Sequence, residues 1–338
     1  MKRLIAAVTL LLPVLSGSAF AGTAVAEPAS TGTATGGTAV GVHNAYTQQA
    51  APYLVDVLDK KPGMVEIDVW TNFLFSRDFQ VGHDPGNTNN CARATTYEEL
   101  RTGSRNQNLA GCLRNIRLWH DRNPNHPPVV LKVEFKNGFD DRGGYGPDEF
   151  DRLVAEHLGA GSVFGPAHLI GTHPTLDAAA RAGAWPSRAA LTGKFLILVE
   201  VGTFEAQNPF DNYDTDLEYA DRLIAARNSG TLSSALAFPA INGASQSDPR
   251  VGDRGGARAP WFVAFDGSAS AYASHPGDSY LGGHYLVVMT DAHSVAPAID
   301  ARTPSVADAQ ARVRLLAGKG ATIVSSDWLD PAIVGYSV

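Results

Sequence analysis

Short apolar runs alternate with helix-patterned stretches along almost all of this 338-residue chain, and few folds accept that alternation. Eight runs read as strands, at residues 38–42, 64–69, 129–135, 194–201, 235–239, 261–265, 285–290 and 321–325. They are rich in Val, Ile, Leu and Phe, as parallel strands buried on both faces are. Helical spacing is present at 106–121, 148–158, 214–228 and 306–318. Asp148 and Ser305 are candidate N-caps, and Gly318 and Gly320 candidate stops. Eight strands with interleaved helices predict an α/β (β/α)8 barrel of the TIM type, as one domain. A doubly wound sheet is the alternative, but no Gly-rich dinucleotide fingerprint follows the first strand.

The barrel has to fit between residues 38 and 338. Residues 1–26 read as a secretory signal: Lys2-Arg3, then an apolar stretch, then small residues at Ala19-Phe20-Ala21 and Ala24-Val25-Ala26. That stretch falls short of the ~20 apolar residues needed to span a bilayer. Residues 27–37 read as a flexible leader rich in Ser, Thr, Gly and Ala. The expected protein is secreted and extracellular, with no transmembrane segment, and a monomer. A net charge of −7 gives no basic excess for nucleic acid, nor for strong attachment to an anionic bilayer. Export permits oxidation, so Cys91 and Cys112 are expected to form a disulfide. A Cys metal pair lacks further ligands at matching spacing.

Four polar clusters sit at or just past the ends of apolar runs: His43-Asn44, Glu66-x-Asp68, His83-Asp84 and Lys132-x-Glu134. Barrel enzymes carry their chemistry at those strand ends. Residues i and i+2 of a strand share a face, so Glu66 and Asp68 point the same way, ~7 Å apart along the strand. Carboxylates turned into one pocket need a cation, and oxygen ligands favour a hard one, Ca²⁺ or Mg²⁺. Glu134 and the Asn44 carboxamide would complete a partly open metal site. His43 and His83 supply acid/base capacity near neutral pH, as metal-assisted phosphodiester cleavage requires. Lys132 shares the face of Glu134, either paired with carboxylates or offered to a substrate phosphate. Lys136 continues that face nearer the rim. Glu200 is a candidate for substrate hydroxyls. Trp261, with Phe265, Tyr285 and Trp328, is a candidate for stacking on a sugar or cyclitol ring.

The segments "GVHNAY", "VEIDVW", "QVGHDP" and "LKVEFKN" resemble the successive signatures of calcium-dependent phosphatidylinositol-specific phospholipase C in its secreted actinobacterial form. "WPSRAALTGKFLILVE" and "GATIVSSDWL" are similar to that family's second half. The resemblance implies the barrel of PLC-like phosphodiesterases. It implies acid/base roles for His43 and His83, and calcium ligation by Asn44, Glu66, Asp68 and Glu134. Calcium rather than magnesium follows more from the resemblance than from the residues. The implied partner is a phospholipid at a membrane surface, met transiently. Eukaryotic members carry lysines after their middle strand, whereas Glu200 and Val201 stand in that region here, which implies unphosphorylated phosphatidylinositol. A glycerophosphodiester phosphodiesterase and a sphingomyelinase D-like lipase are the alternatives on the same barrel. A non-catalytic lipid- or sugar-binding barrel ranks below them. An amidohydrolase-type metal barrel would want a His-x-His pair, which His43-Asn44-Ala45 does not supply.

Overall fold

The computed structural model describes residues 32–71, 78–208, 213–243, 247–274, 282 and 284–338. The signal segment and residues 27–31 of the leader therefore lie outside the described residues. Eight parallel strands close into a barrel: β1 (Ala39–Val42), β2 (Met64–Thr71), β4 (Val129–Phe135), β5 (Phe195–Val201), β6 (Ala237–Asn242), β7 (Ala264–Ser268), β8 (Leu286–Thr290) and β9 (Ile323–Ser326). β1 pairs with both β2 and β9, which completes the circle. The ninth strand, β3 (Phe79–Val81), runs antiparallel along the end of β2.

Helices pack outside the strands. α1 (Leu54–Leu58) links β1 to β2, and α2 (Leu109–Arg122) precedes β4. α3 (Pro147–Val154), α4 (Pro166–Ile170) and α5 (Leu176–Arg181) lie between β4 and β5. α6 (Thr215–Ser229), α7 (Ala269–Ser274) and α8 (Val306–Ala317) precede β6, β8 and β9, and α9 (Pro331–Val334) follows β9. Ser305 caps α8 as expected, accepting the Asp308 N–H at 3.1 Å. Asp148 does not cap α3. Pro147 takes the first helical position, where its missing N–H costs nothing, so Gly146 is the cap and Glu149 reaches back to its N–H at 3.2 Å.

Three strands start two or more residues later than expected, β9 among them, at Ile323. β6 starts two residues later than predicted and β7 three. Pro260 favours a 3-10 turn over Ala259–Trp261, so the aromatic end of the predicted run lies before the strand. Trp261 is therefore buried at the amino-terminal end of the barrel, opposite the strand ends that carry the polar clusters. Tyr285, just before β8, is at the same end and donates to Asp177. Trp328 is fully buried. These aromatic residues are packing, not a platform for a ring.

Alternation along the strands grades the barrel interior. Met64, Glu66 and Asp68 share one face of β2. A side chain at Gly41 would come within 2.9–3.0 Å of Ile323 and Met64, so the interior is close-packed and apolar at that level. Further along β2, β4, β5 and β7 the inward positions become charged, at Glu66 and Asp68, Lys132 and Glu134, Glu200, and Asp266.

Candidate active site

The carboxyl ends of β2 and β4 lie side by side. Glu66 is level with Lys132, and Asp68 with Glu134. All three carboxylates are buried, and one oxygen from each falls within 4.8 Å of the others. Burial, then the charges of Glu66 and Glu134, push the Asp68 carboxyl upward, while Lys136 pulls it down. Asp68 Oδ1 is buried and takes no hydrogen bond of normal geometry. An all-oxygen donor set with one such atom fits a hard divalent cation. Asn44 borders this set: its backbone N–H donates to Glu66 Oε2 at 3.3 Å. Its backbone is left-handed (φ 51°), a conformation Asn tolerates better than most residues.

Two lysines neutralise the carboxylates from different sides. Lys132 Nζ is 3.3 Å from Glu66 and 2.8 Å from Glu200, and also pairs closely with Asp266. Burial works against its charge, but the three carboxylates hold its pKa well above the ordinary range. Glu200 is fully buried, and burial pushes its carboxyl well upward against the pull of Lys132. Lys136 Nζ is 2.8 Å from Glu134 Oε1 and 3.4 Å from Asp68 Oδ2.

His43 follows β1 directly. Its Nδ1 is 2.8 Å from Asp327 Oδ1, one residue past β9. A carboxylate only accepts, so Nδ1 donates to Asp327, while Nε2 is 3.6 Å from Glu66 Oε2 and 3.2 Å from the Asn44 carboxamide nitrogen. Burial lowers the His43 pKa, but the Asp327 hydrogen bond and the charges of Glu66 and Asp327 outweigh it and raise the ring to about 9. His83, after β3, is 69% exposed at its side chain and 3.8 Å from Asp84. Both histidines line one cavity of about 630 Å³ with Asn44, Arg302, Asp327 and Ile333. That volume is within the usual range of small-ligand pockets.

This constellation can be compared with known proteins. The family described as "Phosphoinositide phospholipase C, Ca2+-dependent" matches residues 94–253. A solved Ca²⁺-dependent phosphatidylinositol-specific phospholipase C from Streptomyces antibioticus is 46% identical, with a TM-score of 0.87 over 90% of this chain and 98% of that one. The chain belongs to the calcium-dependent phosphatidylinositol-specific phospholipase C family. It is accordingly a phosphoric diester hydrolase by homology. A calcium-dependent phosphoinositol-specific phospholipase C from a Pseudomonas species, in a myo-inositol complex, shares the fold (TM-score 0.64) at 18% identity, over 92% of this chain and 94% of that one. No curated protein sequence matches the chain.

The family signatures converge as the sequence suggested: His43, Asn44, Glu66, Asp68 and Glu134 meet at one mouth, with His83 above it. Lys132 and Glu200 are placed differently from their substrate-binding reading. They pair with each other beneath the mouth, where Lys132 is 4% exposed and Glu200 has no exposure. Of the substrate candidates Lys136 stands beside the triad, and Trp261 is at the far end. Sequence reasoning missed Asp327, Asp266 and Arg302. Asp327 was findable by the rule that found His43, since both directly follow a barrel strand. Asp266 was hidden because the predicted strand stopped at 265. Cys91 and Cys112 form a disulfide, with Cα atoms 5.1 Å apart. No described helix is long and apolar enough to cross a membrane.

Proposed function

We propose that this chain is a secreted enzyme that cleaves phosphatidylinositol between phosphorus and the diacylglycerol oxygen. The products are diacylglycerol and a cyclic inositol phosphate, which is then open to hydrolysis. The observation that carries the reading is the His43–Asp327 pair held beside the Glu66–Asp68–Glu134 triad, in a cavity shared with His83.

The ring hydroxyl of the inositol attacks phosphorus intramolecularly. His43 Nε2 takes its proton while Asp327 fixes the ring and balances the charge gained. His83 delivers a proton to the diacylglycerol oxygen as the P–O bond breaks. Glu66, Asp68, Glu134 and Asn44 would hold the calcium ion. A cation there supplies charge that acidifies the attacking hydroxyl, neutralises Glu66 beside His43, and offsets charge on the phosphoryl oxygens. Export is supported by the leader sequence and agrees with the disulfide. The enzyme acts as a monomer that meets the membrane surface transiently.

The test is ³¹P NMR of phosphatidylinositol vesicles treated with the protein, first in Ca²⁺ and then in chelator. Calcium-dependent cyclic inositol phosphate together with diacylglycerol supports the reading. Phosphatidic acid would instead indicate release of the headgroup alcohol. Turnover of glycerophosphoinositol without turnover of the lipid would indicate a soluble glycerophosphodiester substrate.

A further inference from the structure

The five carboxyl groups inside the barrel mouth divide between the two lysines without overlap. Lys132 takes Glu66, Glu200 and Asp266, whereas Lys136 takes Asp68 and Glu134. The surroundings of the two ammonium groups differ. Lys132 lies in the middle of β4, enclosed on three sides by its partners. Lys136 lies one residue past the end of β4, its backbone N–H held by the Val69 carbonyl. Only its side chain commits it to the carboxylates.

We infer that Lys136 is the resident counter-cation of the triad and competes with the divalent metal for it. The inference rests on reading Glu66, Asp68 and Glu134 as the metal ligands. Two of those three ligands are in contact with Lys136 Nζ. Glu134 Oε1 already accepts from Lys136 at 2.8 Å and from the Thr203 N–H at 3.0 Å, so little of its lone-pair capacity is left. An ammonium and a divalent cation on the same two carboxylates repel each other, which offsets part of the attraction of each. Metal entry therefore displaces the ammonium from Asp68 and Glu134. The cost of that displacement is subtracted from the metal affinity, so Lys136 sets how much Ca²⁺ the site needs. The same ammonium keeps Asp68 and Glu134 from repelling each other when calcium is scarce.

The test is calorimetric titration of the purified protein with Ca²⁺, alongside melting in chelator and in Ca²⁺. Lys136→Met should bind Ca²⁺ roughly tenfold more tightly than wild type, the scale set by removing one nearby charge. It should melt lower in chelator and gain more from added Ca²⁺. Lys136→Arg keeps the charge and should titrate like wild type. Glu134→Gln should abolish the binding heat in either background. Equal or weaker Ca²⁺ binding by Lys136→Met overturns the inference while leaving the metal site standing. No Ca²⁺ binding by wild type removes both. Lys136→Gln, closer in polarity, takes the place of Lys136→Met if that variant does not fold.

Discussion

His43 and His83 face one cavity but are held in very different ways. His43 leaves a barrel strand, is 29% exposed, and has its ring fixed by Asp327 with Glu66 behind it. His83 leaves a short antiparallel strand outside the barrel, and its side chain is 69% exposed, with no charged partner among the described residues closer than Asp84 at 3.8 Å. A base must be oriented before the substrate's hydroxyl arrives, because its free nitrogen has to meet a short intramolecular path. A proton donor to a leaving group at a lipid surface can be completed by the substrate that covers it. The site thus has a preformed side and an open side.

The strongest way to break this contrast is to remove each histidine in turn and vary the leaving group. His43→Ala should lose roughly 10³–10⁴-fold in turnover on any inositol phosphodiester, at the upper end of what acid/base catalysis contributes. His83→Ala should lose roughly 10²–10³-fold on phosphatidylinositol. With an aryl leaving group, which needs no proton to depart, most of the His83→Ala loss should vanish while the His43→Ala loss stays. The reverse pattern would exchange the two roles.

Asp327→Asn sharpens the preformed side. Burial lowers the His43 pKa, and the Asp327 hydrogen bond and charge, with Glu66, raise it to about 9 against an ordinary 6.5. A base raised on folding contributes stability that is fully present below 6.5 and is lost as pH climbs through about 9. In chelator, wild type should therefore lose stability across that window. Asp327→Asn should show a flatter profile, and an NMR midpoint for His43 well below that of wild type. Turnover should fall roughly 10²-fold, less than for His43→Ala because the imidazole remains. An unchanged His43 midpoint would mean that Asp327 does not govern the ring.

How much of this was legible beforehand follows the same division. Glu66, Asp68 and Glu134 could be read because alternation alone puts i and i+2 on one face, and the barrel interior is the only face polar residues could share here. His43 could be read because it ends a strand. Parity and position along the strand placed Lys136 nearer the rim than Lys132, but not which carboxylates each would meet, so Lys132 stayed open as a phosphate ligand although it is enclosed. Trp261 looked like part of a strand because apolarity continues past the boundary that Pro260 imposes. Asp327 was open to the same strand-end rule as His43, but its pairing with His43, like that of Asp266 with Lys132, arises only through closure of the barrel.

The two sides are joined by Asn90, which permits a last and smaller test. Its side-chain amide donates to the carbonyls of Ala45, Thr47 and Ala51, at 3.0, 2.9 and 3.3 Å, in the segment that follows His43-Asn44. Its backbone N–H donates to Tyr46, and it ends the loop that carries His83, next to the Cys91–Cys112 bridge. Asn90→Ala removes the side-chain donor from the buried Ala45 and Ala51 carbonyls, whereas Thr47 keeps the Ala50 and Ala51 N–H groups, and should cost about 2–4 kcal/mol in denaturant unfolding. Because β1 and β9 hold His43 independently, its ring should keep its raised midpoint in the folded variant. The effect on turnover should stay within about tenfold and, if the spacing between the loops matters, should affect phosphatidylinositol more than an aryl ester. Equal loss on both substrates would place the damage on the His43 side, and the two halves of the site would then not be as separable as their contacts indicate.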